Sequence, residues 1–240
     1  MKHEPGPKTA SNLSDSHEPV WQALLTAIVE HQLPPGSRLP EEALAEAFGI
    51  SRTGIRNVLQ RLAAVQMITL TPRRGAHVAS PDAQEARDIF HTRSLIECAN
   101  LPAVIARCQP PHLAALERLL EEERQAHQQH NGAAAIRLSA TFHIQLQAIS
   151  GNQVLTDLVT RLAQRSSLVI AVWGAPWQQG CRCDHHDRLV DYLRAKRLTS
   201  LTDAMQQHFQ HILASLRFER GGEALPDFSR LFAPKGVPQK

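Results

Sequence analysis

The chain has 240 residues, of which 42% are hydrophobic and 20% charged, and its formal net charge is +3 at pH 7. These proportions are ordinary for a globular protein, so a disordered or fibrous chain is excluded. The longest apolar run, residues 167–173, is far too short to cross a bilayer, no secretory signal opens the chain, and four cysteines fit a reducing compartment, so we expect a cytoplasmic protein.

The first 80 residues predict a helix-turn-helix. Residues 1–17 are polar and predict a disordered leader. A helix is then predicted over residues 18–31, where Trp21, Leu24, Leu25 and Ile28 recur at helical spacing, and Leu33-Pro-Pro-Gly36 ends it. A second helix is predicted over residues 41–48. Gly49 suits the C-cap of that helix and Ser51 the N-cap of the next, so the two helices are joined by a tight turn.

The third predicted helix, residues 52–64, carries the clearest functional pattern. Its apolar residues Ile55, Val58, Leu59 and Leu62 share one face. The other face carries side chains that hydrogen-bond base edges and phosphates, namely Arg52, Thr53, Arg56, Asn57 and Gln60. A recognition helix reads the major groove with its N-terminal residues, where these cluster. We therefore expect a recognition helix rather than an ordinary amphipathic surface helix, which would more often carry Glu and Lys pairs.

Charge and strand patterns extend this DNA-binding prediction to residue 81. From Ala47 to Pro81 the chain has no Asp or Glu but five arginines, a local field that attracts a phosphate backbone. Residues 67–70 and 76–79 predict two short strands. The turn between them places Arg73, Arg74 and Gly75 at the tip of a wing, where they can lie along a phosphate strand or in the minor groove.

From Asp82 to about residue 220 the pattern is almost entirely helical. Helices are predicted over residues 82–107, 111–130, 132–149, 152–173, 184–197 and 199–218, separated by Pro, Gly and Asn breaks. Six helices with short connections favour an antiparallel bundle. The expected organisation is a winged helix-turn-helix domain over residues 18–80, an all-helical domain over residues 82–220 and a flexible tail over residues 221–240.

Three histidines on different predicted helices lie on or beside core-facing surfaces: His143, His186 and His208. One buried histidine is more often a structural residue than a ligand. Three that converge reverse that preference, because bundle interiors are where metal sites are built. Neutral imidazoles suit Zn, Ni, Mn or Fe. The sequence therefore predicts a divalent metal site.

Other residues of this half leave alternatives open. Arg93 and Glu97, spaced i, i+4, are a candidate pair lining an effector cavity, since a guanidinium suits a carboxylate, and equally a pair that only ties helices together. Trp173 and Trp177 either cover a pocket mouth or fill the core. Cys181-Arg-Cys183-Asp-His185-His186 has an unusual spacing for a zinc cluster and no second cysteine pair.

The N-terminal motifs resemble those of a known family. Pro35-Gly-Ser-Arg-Leu39, Leu44-Ala-Glu-Ala-Phe-Gly-Ile-Ser-Arg-Thr53, Ile55-Arg56 and Arg74-Gly75 are similar to the winged helix-turn-helix of GntR-family bacterial regulators. Two departures fall in the recognition helix, where Gly54 replaces the usual Pro and Asn57-Val58 the common Glu-Ala. In the second helix, Glu42 or Ala43 stands where some members carry a DNA-binding Arg. We therefore expect Asn57 to alter which operator is read, and the resemblance does not say which operator that is.

The C-terminal half resembles the FCD effector domain of the FadR subgroup. The residues that carry this likeness are Arg93-Ser-Leu-Ile-Glu97, Phe142-His143 with Ser150-Gly-Asn152, His186 with Leu189, and Ala204-Met205 with His208. The resemblance implies a divalent metal held by the three histidines and an Asp four residues before the first one, a position that Ser139 occupies here. It also implies a small carboxylate or sugar-acid effector bound at or near the metal.

These expectations combine into a ligand-responsive regulator that binds a near-palindromic operator as a homodimer, and we expect a repressor. Arg52, Arg56, Asn57 and Gln60 are predicted to read or clamp bases, whereas Ser51, Thr53, Arg73 and Arg74 mainly hold phosphates. One alternative is a metal sensor in which the ion itself is the signal. A remote one is a metal-dependent hydrolase, but in the sequence no carboxylate, nucleophile or phosphate-binding loop accompanies the histidines, and a DNA-reading segment is attached, so we expect no enzyme.

Overall fold

The computed structural model describes residues 17–174 and 183–218, and it is mainly helical. The N-terminal part consists of α1 (Glu18–Val29), α2 (Glu41–Phe48), α3 (Arg52–Ala64), β1 (Ile68–Thr71) and β2 (Gly75–Val78). The C-terminal part consists of α4 (Ala83–Arg107), α5 (Pro110–Gln128), α6 (Gly132–Ala148), α7 (Gln153–Trp173), α8 (Cys183–Arg194) and α9 (Leu198–Ser215). Residues 1–16 of the predicted leader, the flexible tail, Trp177 and the first two residues of the cysteine cluster, 181 and 182, lie outside the described residues.

The turn between α2 and α3 forms as the sequence predicts. Gly49 ends α2 with a left-handed φ of 63°, which a residue without a β-carbon adopts at no steric cost. The Ser51 hydroxyl accepts a hydrogen bond from the Gly54 amide at 3.1 Å and so caps the first turn of α3. Leu24, Ile28, Leu44 and the apolar stripe of α3 are almost fully buried together. This aliphatic core fixes which face of α3 remains in solvent.

The wing is a two-stranded antiparallel hairpin. Ile68 pairs with Val78 and Thr71 with Gly75, and an isolated bridge from Arg38 to His77 adds a short contact on the other side of β2. Ile68 and Val78 are buried against the helices, which sets the register. The hairpin therefore holds its turn, residues 72–74, away from the core.

The C-terminal helices form a bundle whose breaks are capped by asparagines. The Asn131 side chain accepts from the Ala134 amide and that of Asn152 from the Leu155 amide, each at 3.1 Å, at the starts of α6 and α7. Helix α5 begins at Pro110, where a missing amide proton costs nothing. Leu201, Met205 and Phe209 of α9 pack into a core that also contains residues of α4 to α8. Within the described residues, no helix is both long and apolar enough to span a bilayer.

Helix α7 connects the two cores. Leu168, fully buried, packs in the N-terminal core, whereas Val169 packs in the C-terminal one. The backbone oxygen of Ser167 accepts a hydrogen bond from Nε2 of His31 at 2.8 Å, and Arg165 donates to Gln66 at 2.8 Å. Trp173 packs beside the C-terminal core and donates to the backbone oxygen of Pro81 at 2.9 Å. The winged helix-turn-helix is therefore docked against one face of the bundle.

Candidate DNA interface and metal centre

The α3 surface combines a buried aliphatic stripe with an exposed polar face. Ile55, Val58 and Leu62 have zero exposure. The residues predicted to face DNA are all exposed, namely Ser51, Arg52, Thr53, Arg56, Asn57 and Gln60. Because the aliphatic face is anchored in the core, these side chains project from one rigid helix into solvent. The arrangement presents the hydrogen-bonding groups that read base edges in a major groove.

Arg56 is not free in this state, because Glu41 at the start of α2 holds its guanidinium in a two-point pair. Arg56 donates from Nε to Oε1 at 3.1 Å and from Nη2 to Oε2 at 2.7 Å. This hydrogen bond lowers the pKa of Glu41, so the carboxylate stays charged. The segment from Ala47 to Pro81, which contains no acidic residue of its own, is therefore contacted by the acidic side chain of Glu41 in the folded protein. The Arg56 side chain nevertheless remains 56% exposed.

The wing tip is fully presented to solvent. Arg73, Arg74 and Gly75 are exposed, and both Arg73 and Gly75 have positive φ, at 65° and 83°. A left-handed conformation is strained for an arginine, and it is held by the tight turn in which the Arg74 amide donates to the Thr71 oxygen. Two adjacent guanidinium groups at the end of a hairpin suit a phosphate backbone.

The three predicted histidines come together in the bundle interior. His143 comes from α6, His186 from α8 and His208 from α9, and none is more than 1% exposed. One nitrogen atom from each lies within 4.8 Å of the others. Nε2 of His143 is 2.9 Å from Nε2 of His208. Three imidazoles that converge from three helices offer donor atoms that could hold a divalent transition metal.

Two buried glutamates hold the imidazoles from behind. Nδ1 of His143 donates to Glu97 at 2.7 Å, and Nδ1 of His186 donates to Glu123 at 2.8 Å. A carboxylate on one ring nitrogen fixes the tautomer and leaves the lone pair on Nε2, where a metal binds. Sequence reasoning assigned Glu97 to the effector and missed Glu123, which lies in the run Glu121-Glu122-Glu123. Glu123 follows Leu120 by three residues on the buried stripe of α5, and this helical spacing is the signal that could have found it.

Burial keeps the imidazoles of His143 and His208 neutral, as metal binding requires. Burial lowers the pKa of His143 to about 4, and burial also lowers the pKa of His208. Burial opposes the charge on Glu97, but the adjacent Arg93 and His143 outweigh it and hold the pKa of Glu97 below its ordinary value. The site therefore pairs neutral nitrogen donors with an ionised carboxylate at neutral pH.

A buried polar atom without a partner tests whether a metal fits. Among the described residues, Nε2 of His186 has no hydrogen-bond partner although it is buried. Leaving such an atom unsatisfied costs about 1–3 kcal/mol. A metal at the point where the three rings meet would satisfy it, so the residues fit the ion. Ser139 is half-buried one helical turn before His143, and its neutral hydroxyl is a weaker donor than the expected carboxylate.

Arg93 lies beside this centre and is only 3% exposed. Its Nε donates to Glu97 at 2.8 Å and its Nη1 to the Ser166 hydroxyl at 3.1 Å. Its Nη2 finds no partner among the described residues, and the guanidinium carbon lies 4.9 Å from the ring centre of Phe209. The pair with Glu97 thus ties α4 to the metal centre. One donor of the guanidinium is still available to another anion.

The two halves of the chain match two family models. The model of bacterial regulatory proteins, gntR family, matches residues 17–78, and the FCD domain model matches residues 88–211. The chain belongs to the GntR family. As a GntR-family regulator with an FCD domain it is a DNA-binding transcription regulator and not an enzyme, and the resemblance drawn from the sequence is confirmed.

Relatives and solved structures agree with this family. The Nta operon transcriptional regulator of Aminobacter aminovorans is 27% identical over 79% of this chain and 90% of its own. The transcriptional repressor RspR of Escherichia coli is 24% identical over 84% and 89%. A solved GntR regulator from Rhodococcus sp. RHA1 superposes with a TM-score of 0.74 at 20% identity, covering 85% of this chain and 97% of that one. The solved E. coli McbR superposes at 0.73 with 23% identity, covering 82% and 94%.

Proposed function

We propose that this GntR-family protein is a cytoplasmic homodimer that represses transcription from a near-palindromic operator and is released by a small carboxylate or sugar-acid metabolite. The observation that carries the DNA-reading part is the exposed polar face of α3 above its buried aliphatic stripe. The effector part is supported by the buried polar centre in the FCD domain.

On the DNA, the exposed face of α3 enters a major groove. Base contacts come from Arg52, Arg56, Asn57 and Gln60, since Arg bonds guanine and Asn or Gln bonds adenine at two points. Phosphate contacts come from Ser51, Thr53 and the wing arginines Arg73 and Arg74, with Gly75 allowing close approach of the backbone. Arg56 contacts a base while it shares its guanidinium with Glu41, which orients it.

Dimerisation uses an apolar face on α4 and α7. Leu95 is 59% exposed, and Ala99, Pro102 and Ala103 follow it on the same face of α4. On α7, which packs against α4, Val154 and Leu158 are exposed as well. A second copy of the chain covers this patch, because an isologous pair also gives the two recognition helices that a palindrome requires. Leu95→Asp should make the protein monomeric by light scattering, and an unchanged dimer would refute this interface.

In the FCD domain, His143, His186 and His208 would hold a zinc, nickel or manganese ion, with Glu97 and Glu123 fixing two of the rings. When bound, the ion supplies a Lewis-acidic position for an effector oxygen. Arg93 offers its unpartnered Nη2 to the effector's carboxylate. Metal content after mild purification tests the first step. No divalent ion in the wild type, with unchanged stability in chelator, would count against the site.

A contact path leads from this centre to the DNA-binding domain. Arg93 bonds the Ser166 hydroxyl on α7, and the next residue, Ser167, accepts from His31 of the winged helix-turn-helix. A ligand that draws Arg93 away from Ser166 changes the preferred position of α7 and hence of the docked domain. Such a ligand acts only by binding one arrangement better than the other.

The second candidate function is a metal sensor, in which the ion alone is the signal. It is favoured by the near-complete burial of all three imidazoles, at no more than 1% exposure. The metabolite sensor and the metal sensor are distinguished by measuring operator affinity in three states: metal-free protein, protein with Zn²⁺ or Ni²⁺, and metal-bound protein with citrate or gluconate added. Metabolite sensing predicts a change only in the last step. A change on metal addition alone, unaffected by carboxylates, identifies the metal sensor.

A further inference from the structure

Two histidines outside the buried centre connect it to the surface through a series of neighbouring rings. His211 is exposed on α9, His185 is half-buried on α8, and His208 is 1% exposed. The ring centres of His185 and His211 are 4.8 Å apart, and those of His185 and His208 are 6.0 Å apart. The ring centres of His208 and His143 are 4.9 Å apart. Imidazole rings therefore follow one another from solvent to the centre.

These rings border a small pocket that opens to the surface. It is lined by His185, Arg188, Ala204, Gln207, His208 and His211. The pocket forms because α8 and α9 pack side by side. His185 precedes His186 on α8, and His211 follows His208 by one turn on α9, so the two outer histidines lie next to each other. Its inner wall is thus a residue of the metal centre, and its outer rim carries two more imidazoles.

The hydrogen bond that His211 makes leaves its other ring nitrogen able to bind a cation. Its Nδ1 donates to the backbone oxygen of Gln207 at 3.1 Å. The proton is thereby fixed on Nδ1, and Nε2 keeps the lone pair that a metal needs. Imidazole nitrogens favour zinc, nickel, cobalt and copper over calcium and magnesium.

The geometry points to His185 and His211 as a surface loading site through which a divalent transition-metal ion reaches the three buried histidines. The inference rests on the proposed function, since it requires that the buried centre holds a metal. A hydrated ion cannot enter a site with 1% exposure without exchanging water for protein ligands, and this pair offers the first exchange. Arg188 on the same pocket repels a cation, so the outer site passes the ion inward and does not retain it.

The test is the kinetics of Ni²⁺ transfer to metal-free protein from a coloured chelator, followed in a stopped-flow instrument. His211→Gln and the double variant His185→Gln/His211→Gln should slow uptake by about tenfold or more, because the ion loses its first protein ligands on the way to the buried centre. A route residue lowers uptake and release by the same factor, so the affinity and the stoichiometry at equilibrium stay as in the wild type.

The matched control is His130→Asn, which removes another exposed histidine at a left-handed position that asparagine tolerates. It should leave both rates unchanged. Wild-type rates in both rim variants would overturn the loading site, and so would a loss of equilibrium affinity without a change in uptake rate. If the wild type takes up no Ni²⁺ at all, the metal part of the proposed function fails instead, so the two failures are distinguishable.

Discussion

The two functional regions of this molecule place polar side chains in opposite settings. On α3 the arginines and amides are exposed and lie above a core of apolar side chains, most of them aliphatic. In the FCD domain the polar groups are inside, with Arg93, Glu97, Glu123 and the histidines all at 3% exposure or less. An exposed side chain contributes to a partner's binding and little to stability. A buried charged network contributes both to ligand binding and to stability, because the removal of one side chain leaves the charge or hydrogen-bonding group of its partner buried and unsatisfied.

The largest effect expected from this contrast is that of Glu97→Ala. It leaves the Arg93 charge buried without its carboxylate and removes the acceptor from Nδ1 of His143. We expect a loss of about 3–5 kcal/mol in the free energy of unfolding, measured by urea denaturation of metal-free protein. The control is Glu117→Ala, which breaks an exposed pair with Arg194 and should cost less than about 1 kcal/mol. Equal losses in the two variants would contradict the contrast.

The next largest effect comes from two neighbouring residues of α7 that pack in different cores. Leu168→Ala and Val169→Ala each remove a fully buried side chain of α7, but only Leu168 packs against the N-terminal domain. The Leu168 variant should lose about 2–5 kcal/mol. It should also release the winged helix-turn-helix, seen as faster hydrogen exchange in α1. If Val169→Ala accelerates exchange in α1 as strongly, α7 does not dock the domains as described.

The smallest effect concerns the pair between Glu41 and Arg56. Glu41→Gln should weaken discrimination between operator and random DNA by about 0.2–1 kcal/mol, because an exposed pair is weak but orients the guanidinium. Non-specific affinity should rise slightly as a negative charge is removed. Glu42→Gln, exposed on the same turn, removes the same charge without touching Arg56. Loss of discrimination in both variants would show that only net charge matters.

Much of this architecture could be predicted from the sequence because it follows from local patterns. The predicted bounds of α2 and α3 match the structure, and those of the other helices differ by three residues or fewer at their ends. The apolar stripe of α3, the Gly49 and Ser51 caps and the asparagine caps are each set by neighbouring residues. The convergence of the three histidines followed from their shared position on core-facing stripes.

What the sequence did not reveal depends on contacts between distant residues. Glu41 lies 15 residues before Arg56 in the chain. The sequence from Ala47 to Pro81 contains no acidic residue, so charge counting did not predict that a carboxylate contacts the recognition helix. Helical spacing places Glu123 on the buried stripe of α5, but it does not reveal that the side chain bonds a histidine 63 residues away. The docking of Leu168 into the N-terminal core likewise arises only when the two halves meet.

The most direct test of the central claim is selection of binding sites from a random duplex library by the wild type and by the double variant Arg56→Ala/Asn57→Ala. The wild type should enrich an inverted repeat. The variant should lose that enrichment, each lost two-point contact costing about 1–3 kcal/mol, while its unfolding curve stays unchanged because both side chains are exposed. Enrichment of the same repeat by the variant, or of no sequence by the wild type, would contradict the assignment of α3 as the DNA-reading element.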